Sequence, residues 1–552
     1  MKKRKLLSFL LVFATAVALS AGGSSSKAAE ETTAEETEAE AEAGSDRYLV
    51  WRLSAEPKLW DPTNNSESTS DAIVKQLFEG LTVSTADGFK PGMAESWDVS
   101  EDGKTYTFHL RKDGKWSDGD PVTAKDFEYS WRRICDPSFA SEALQAMTDY
   151  VVGAQEYFDG TGSYDDIKAT AIDDYTFEVV LKNVTPYFPQ LVANDVYLPI
   201  KKDVVEAAGE GWEKNPETCV SNGPFMLEEY QVGSHFLFKK NPNYYDADSV
   251  KLAGVKAVII TDDNTAYQAY QAGEVDVMDH LPSEQIPQIV AEDPNVIVSA
   301  DTGARFMNFN VDKAPTDNLH VRKAISYAID RKQIADGVYA NGDGAASYLP
   351  VPITSWGYDA SLESLVPAYD PEGAKALLEE AGYGSGLNLV LTVGTADAYV
   401  RAATIIQAML SQIGINVEIQ SLSSTEITDR YLNNTVQLFI GGQGGSADPG
   451  TFVGNFLSTA KLHTNFNAFC YSDPETDKIV NEAGAETDRA KRTELYHELI
   501  KEALDTNIGV FYATSYLSWG LNERVHGYVQ ENKAVMRVCG LEGTGINIWV
   551  TE

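Results

Sequence analysis

Groups capable of covalent chemistry are plentiful in this 552-residue chain, yet their spacing fits no familiar catalytic arrangement. The seven histidines include no HExxH pair, and no GxSxG turn presents a serine nucleophile. His497-Glu498 continues into Leu499-Ile500-Lys501 and, with Leu495, reads as part of an amphipathic helix. With 82 acidic residues, some carboxylates fall near others by number alone, so a pair is no sign of acid–base work. Cys135, Cys219, Cys470 and Cys539 lie far apart, without the close spacing of a zinc site. Buried free thiols are expected, with a Cys219–Cys539 bridge left open should both lie in one domain. No GxxxxGK[ST] loop is present to hold a nucleotide. The pattern points away from an enzyme, and it calls for neither cofactor nor metal.

One stretch suits binding better than catalysis. Gly441-Gly442-Gln443-Gly444-Gly445-Ser446-Ala447-Asp448-Pro449 has small residues that admit a ligand or expose backbone donors. Asp448 before Pro449 either starts a turn and caps a helix over Thr451–Leu457, or turns its carboxylate inward to a ligand. Both readings stand at this point.

The surrounding elements are legible. Tyr106, Phe108 and Leu110 alternate with Thr105, Thr107 and His109, a strand pattern preceded by the hairpin signal Asp102-Gly103. Asp113-Gly114 and Asp118-Gly119 mark further turns. Thr123 with Asp126 three residues on is a carboxylate variant of the capping box. It opens a helix whose core face is Phe127, Trp131 and Ile134. Asp370-Pro371 opens another, with Ala374, Leu377, Leu378 and Ala381 inward and Gly382 at its end. Val321, Ile325, Ala328 and Ile329 form a similar face, and Tyr175, Phe177, Val179 and Leu181 alternate as a strand. The class is α/β, and about 505 residues after position 46 exceed one ordinary domain.

The chain starts like an exported protein. Lys2, Lys3, Arg4 and Lys5 precede an apolar run from Leu6 to Leu19, shorter than a bilayer span, so residues 1–22 read as a signal peptide. Residues 23–46, rich in Glu, Ala, Thr and Ser, bury too little to order themselves and read as an acidic tether. A net charge of −38 repels phosphate backbones and anionic lipid, so nucleic acid is excluded as a partner.

Residues 94–133, AESWDVSEDGKTYTFHLRKDGKWSDGDPVTAKDFEYSWRR, resemble the signature block of the peptide/nickel-type (family 5) solute-binding proteins of ABC importers. QLFEGL at 76–81, SNGPFMLEEYQVGSHFLFKKNPNYYDA at 221–247 and YQAYQAGEVDV at 267–277 match the same family in order. So do NFNVDKAPTDNLHVRKAISYAIDR at 308–331 and YDPEGAKALLEEAGY at 369–383. The resemblance implies a type II two-lobed clamp, a monomer that closes on a solute and presents it to a membrane permease served by separate ATPase subunits. Lobe 1 would comprise 47–80, 186–302 and 508–552, with an extra α/β subdomain at 81–185, and lobe 2 would be 303–507. Crossovers would lie near Arg305–Asn310 and Val510–Ala513. Leu19-Ser20-Ala21-Gly22 is similar to a lipobox whose final cysteine is replaced by Gly22, which removes the thiol that would carry a lipid.

Peptide binders of this family carry a motif like W-G-A-D-Y-x-D-P, whose first Asp meets the ligand's α-amino group. Aligned on Asp448-Pro449 without a gap, the Trp position is Gly442 and the amine-binding Asp position is Gly445. Glu67 or an inward Asp448 would have to substitute, or the ligand lacks a free amine there. The ligand-binding residues implied are Asn65, Ser66, Glu67, Asn308, Gln443, Gly444, Gly445 and Asp448. An oligopeptide is the expected ligand. The alternative is a non-peptide solute such as an oligosaccharide, for which aromatic walls suffice.

Overall fold

The computed structural model describes residues 47–65, 68–85, 88–339, 342, 344–444, 447–464, 466–526 and 548–551. The expectations for residues 1–46 and for Ser66, Glu67, Gly445 and Cys539 lie outside the described residues.

The signature block folds as its patterning requires. Ala94–Val99 pairs antiparallel with Thr105–Leu110, and Gly103 supplies the positive φ of the turn between them. Tyr106, Phe108 and Leu110 are buried, as period-two alternation demands. Thr176–Val180 and Ala169–Asp173 extend this into a four-stranded antiparallel sheet. The helix Ala124–Ile134 starts at Thr123, whose backbone N–H and hydroxyl donate to the Asp126 carboxylate at 2.7 and 3.0 Å. Phe127, Trp131 and Ile134 are fully buried, and Trp131 meets Phe177 edge-on at 5.1 Å.

The helix Pro371–Glu380 is capped by the Asp370 carboxylate, which accepts from the Gly373 N–H at 2.9 Å. Ala374 and Leu378 are buried, and Gly382 leaves the helix with φ +86°. The helix Leu319–Tyr327 buries Val321 and Ile325, then stops, so Ala328 and Ile329 fill the core from the following turn. Cys135, Cys219 and Cys470 are free and buried, and burial pushes the Cys135 thiol up to about 12.

An eleven-stranded mixed sheet organises the rest. Its order is Ile415–Ser421, Leu387–Val393, Leu438–Gly444, Val296–Phe309, Gly509–Leu521, Val277–Asp279, Leu49–Leu53, Gly254–Ile259, His235–Lys240 and Phe225–Gln231. Gly344–Ala346 is added beside Gly509–Leu521. Two long strands, Val296–Phe309 and Gly509–Leu521, occupy its middle and pair antiparallel along their length. Register shifts interrupt that pairing between Ala300 and Ala304 and again between Arg305 and Phe306. Their inward faces alternate. Met307, Phe309, Val510 and Tyr512 join a core under the strands Leu387–Val393 and Ile415–Ser421, whereas Phe306, Ile508 and Phe511 join Phe456 and Phe469 on the other side.

At the C-terminal ends of the parallel strands Leu49–Leu53, Gly254–Ile259 and Val277–Asp279, one side chain ties the edge together. Arg52, fully buried, donates to the carbonyls of Ile260 and Asp279 at 2.8 and 2.7 Å. It also pairs with Asp263 at 2.6 Å and Asp279 at 3.2 Å. Burial opposes the Asp279 charge, but His280 and Arg52 outweigh it and hold that carboxyl below its ordinary value. Arg52→Leu would leave Asp279 with His280 as its remaining partner and the Ile260 and Asp279 carbonyls without their donor, so we expect a loss of about 2–3 kcal/mol, read from urea denaturation followed by tryptophan fluorescence. An unchanged midpoint would show that these strand ends do not depend on the pair.

Candidate functional site

Ligands in open α/β sheets bind beyond the carboxyl ends of the strands. Here two sets of parallel strands end at the same level. Val277–Asp279 pairs with the long strand from Leu521 to Trp519, so it and its parallel neighbours Leu49–Leu53 and Gly254–Ile259 run toward the sheet centre. Leu438–Gly444, parallel to Leu387–Val393, pairs from Phe309 to Gly303 and runs toward the centre from the opposite side. The two sets converge on the stretch where Ala300 faces Tyr516 and Ala304 faces Thr514. The space flanking residues 300–305 and 513–518 is therefore the candidate ligand site.

Polar groups gather there. The Arg305 guanidinium donates through Nη2 to Ser515 Oγ at 2.9 Å, and Ser515 Oγ donates to Asp301 Oδ2 at 3.4 Å. Thr354 donates to the Asp301 carbonyl at 3.0 Å. On the neighbouring strand, Gln443 lies opposite Ala304 and Gly444 opposite Gly303. Gln443 is partly exposed and its amide donates to the Gly444 carbonyl.

A second group links segments distant in sequence. Asp448 accepts from the Gly450 N–H at 2.8 Å through Oδ1 and pairs with Arg492 Nη2 at 2.9 Å through Oδ2. The Arg492 guanidinium lies 5.3 Å from the ring centroid of Tyr187 and 5.4 Å from that of Trp356. Burial raises the Tyr187 hydroxyl above its usual value, and the Asp448 charge adds to this. Nearby, Lys461 Nζ meets Asp149 Oδ2 at 2.5 Å across 312 positions of sequence.

Among the described residues, those expected to bind ligand do not form one cluster. Gln443 and Gly444 edge the space, and Asp448 lies close by. Asp448 caps the 3-10 turn Pro449–Thr451, not a helix over 451–457, and the next helix is Val453–Phe456. The cap is formed, and the same carboxylate also pairs with Arg492. Asn308 is fully buried in the long strand and donates to the Ala468 carbonyl at 2.6 Å. Asn65 is buried and donates to Asp71 at 2.5 Å. Arg305, Ser515, Asp301, Tyr187, Arg492 and the Asp149–Lys461 pair were not anticipated. A charged residue inside the otherwise alternating segment at 305–310 was the one available signal for the first of them. Among the described residues, no group of three or more His, Cys, Asp or Glu converges as a metal site. No helix among them is long and apolar enough to cross a membrane.

A sequence profile for bacterial extracellular solute-binding proteins, family 5 (middle), matches residues 88–463. The oligopeptide-binding protein OppA of Bacillus subtilis is 34% identical over 458 residues, covering 80% of this chain and 83% of its own. The periplasmic oligopeptide-binding protein OppA of Escherichia coli is 32% identical, covering 81% and 83%. The crystal structure of Haemophilus influenzae OppA in complex with the peptide RPPGFSPFR superposes with a TM-score of 0.73 at 29% identity, over 92% of this chain and 99% of that one.

The Asp149–Lys461 contact is only partly shielded, so its worth is about 1 kcal/mol or less. Lys461→Ala should lengthen the distance between spin labels placed near 149 and 461, and about 1 M salt should do the same to the parent protein. Distances that stay unchanged in both cases would show that the pair does not hold these segments together.

Proposed function

The chain belongs to family 5 of the bacterial extracellular solute-binding proteins, and from that premise we propose that it is the extracytoplasmic component of an ABC importer, capturing oligopeptides between two lobes. The lobes are 47–80 with 186–302 and 508–552, and 303–507, and 81–185 is an added subdomain of the first. The observation that carries this reading is the shared pair of long strands: Arg305–Asn308 pairs with Gly509–Ala513 at the join between the two halves of the sheet. A backbone ladder at that join lets two packed bodies rock without either one unfolding.

Capture then needs no covalent step. The open form is favoured when empty, and a solute that touches both lobes shifts the population toward closure by its differential affinity. The closed form offers a composite surface to the permease, and hydrolysis of ATP is left to partner subunits. An extended peptide obtains affinity through its backbone, and a wet pocket tolerates varied side chains. Export places the protein outside the cytoplasm, and Gly22 leaves no thiol for lipid attachment.

Two measurements test this. Mass spectrometry of solute released from protein purified out of its native host should give short peptides, and a recovered non-peptide solute in their place would overturn the ligand class. Because Gly445 stands at the amine-binding position, calorimetry should show less than about a threefold preference for free over N-acetylated peptides, where a lost charged hydrogen bond would cost about tenfold or more. A large preference for the free amine would instead mean that another carboxylate has taken over that task.

A further inference from the structure

Most partly or fully buried arginines in this protein are matched. Arg52 has Asp263 and Asp279, Arg133 has Asp61, Arg492 has Asp448, and Arg524 has Asp276. Arg322 and Arg331 lack carboxylates but donate to several carbonyls, and Arg331 to the Ser326 hydroxyl as well. Arg430, also without a carboxylate, donates to Gln420 Oε1 at 2.9 Å away from the candidate site, whereas Arg305 stands at that site. Among the described residues its guanidinium makes one hydrogen bond, to Ser515, and no carboxylate comes within 4 Å of it. Asp301 reaches it only through the Ser515 hydroxyl.

The surroundings of Arg305 are those of a binding group. Tyr339, Tyr399 and Tyr512 lie near enough to act on its charge, and Arg305 sits where the parallel strands end. Its side chain is partly exposed, so water or a ligand can reach the unspent donors. On the adjacent strand, a methyl group placed on Gly442 would overlap Arg305 Nη1. The guanidinium thus occupies the space that any side chain at position 442 would claim.

We propose that Arg305 is a specificity-determining residue that receives a carboxylate of the captured solute, an inference that rests on the reading of this space as the ligand cleft. A guanidinium offers a planar fork of N–H donors that matches a carboxylate with two parallel bonds. Nη2 spends one of its two N–H bonds on Ser515, and its second remains to form that fork with an N–H of Nη1 or Nε. Where family members place an acid for an amine, this chain has Gly445 in sequence, and at 305 it carries a cation suited to an acid. The carboxylate comes either from a peptide C-terminus or from an acidic side chain.

Calorimetry with the full chain tests this, using mixed-sequence peptides of two to six residues as free acids, as C-terminal amides, and as amides carrying one Glu. Succinate serves as a non-peptide carboxylate. The parent protein should prefer the free acids over plain amides by about 10- to 100-fold. If an acidic side chain is the source, the Glu amides alone recover that affinity. Arg305→Gln should reduce the preference to less than about threefold, and Arg305→Lys should retain part of it. Peptides bound equally as acids, amides and Glu amides would overturn the proposal, as would a preference that survives in a folded Arg305→Gln protein. Should Arg305→Gln fail to fold, the parent's preference and the lysine variant decide. If no peptide binds, the peptide reading falls by itself. Succinate binding that depends on Arg305 would then sustain the anion site, and its absence would end that too.

Discussion

The antiparallel pairing of Arg305–Asn308 with Gly509–Ala513 is the constraint from which the rest of the structure follows. With the pairing of Val296–Ala300 and Tyr516–Gly520 along the same two strands, it joins two sets of parallel strands and sets where both end. Side chains on each face of the join are committed to different cores: Met307 and Tyr512 on one, Phe306 and Phe511 on the other. A one-residue slip would exchange those faces and expose both cores, so the register is strongly held. The two shifts at Ala300/Ala304 and Arg305/Phe306 break the ladder just where the candidate site begins. Bulged pairing at that place twists the strands and turns Arg305 away from a purely structural role.

Charge is distributed around this join with different degrees of completion. On one side, Arg52 is saturated by two carbonyls and two carboxylates, which makes the strand ends rigid. On the other, Asp448 and Arg492 neutralise each other and lean on Tyr187. Among the described residues Arg305, unlike these two, has no carboxylate within 4 Å and one hydrogen bond, to Ser515. A binding protein needs that contrast: finished networks hold the walls in place, and the unfinished one confronts the solute.

Much of this was readable from local pattern, because hairpins, caps and amphipathic faces depend on neighbours in sequence. Asp102-Gly103, Thr123 with Asp126, and Asp370-Pro371 all adopt the roles their spacing implied. The binding residues were less accessible. Asn308 was singled out as a polar residue on a strand, but whether a strand position faces a cleft or a core depends on what packs against it. Asp448 carried two readings, and its partner Arg492 lies 44 positions away in a helix whose own pattern gives no hint of the pairing. Arg305 acquires meaning only when Gly442, Ser515 and Tyr399 are brought beside it, and none of these is near it in the chain.

The overlap between Gly442 and the Arg305 side chain has a bearing on how such proteins diversify. A side chain at 442 would push the flexible Arg305 side chain out of its present place, so a change there re-aims the cation with residue 305 itself unaltered. The two sites are thus coupled, and the effect of a substitution at 305 depends on whether 442 keeps its glycine.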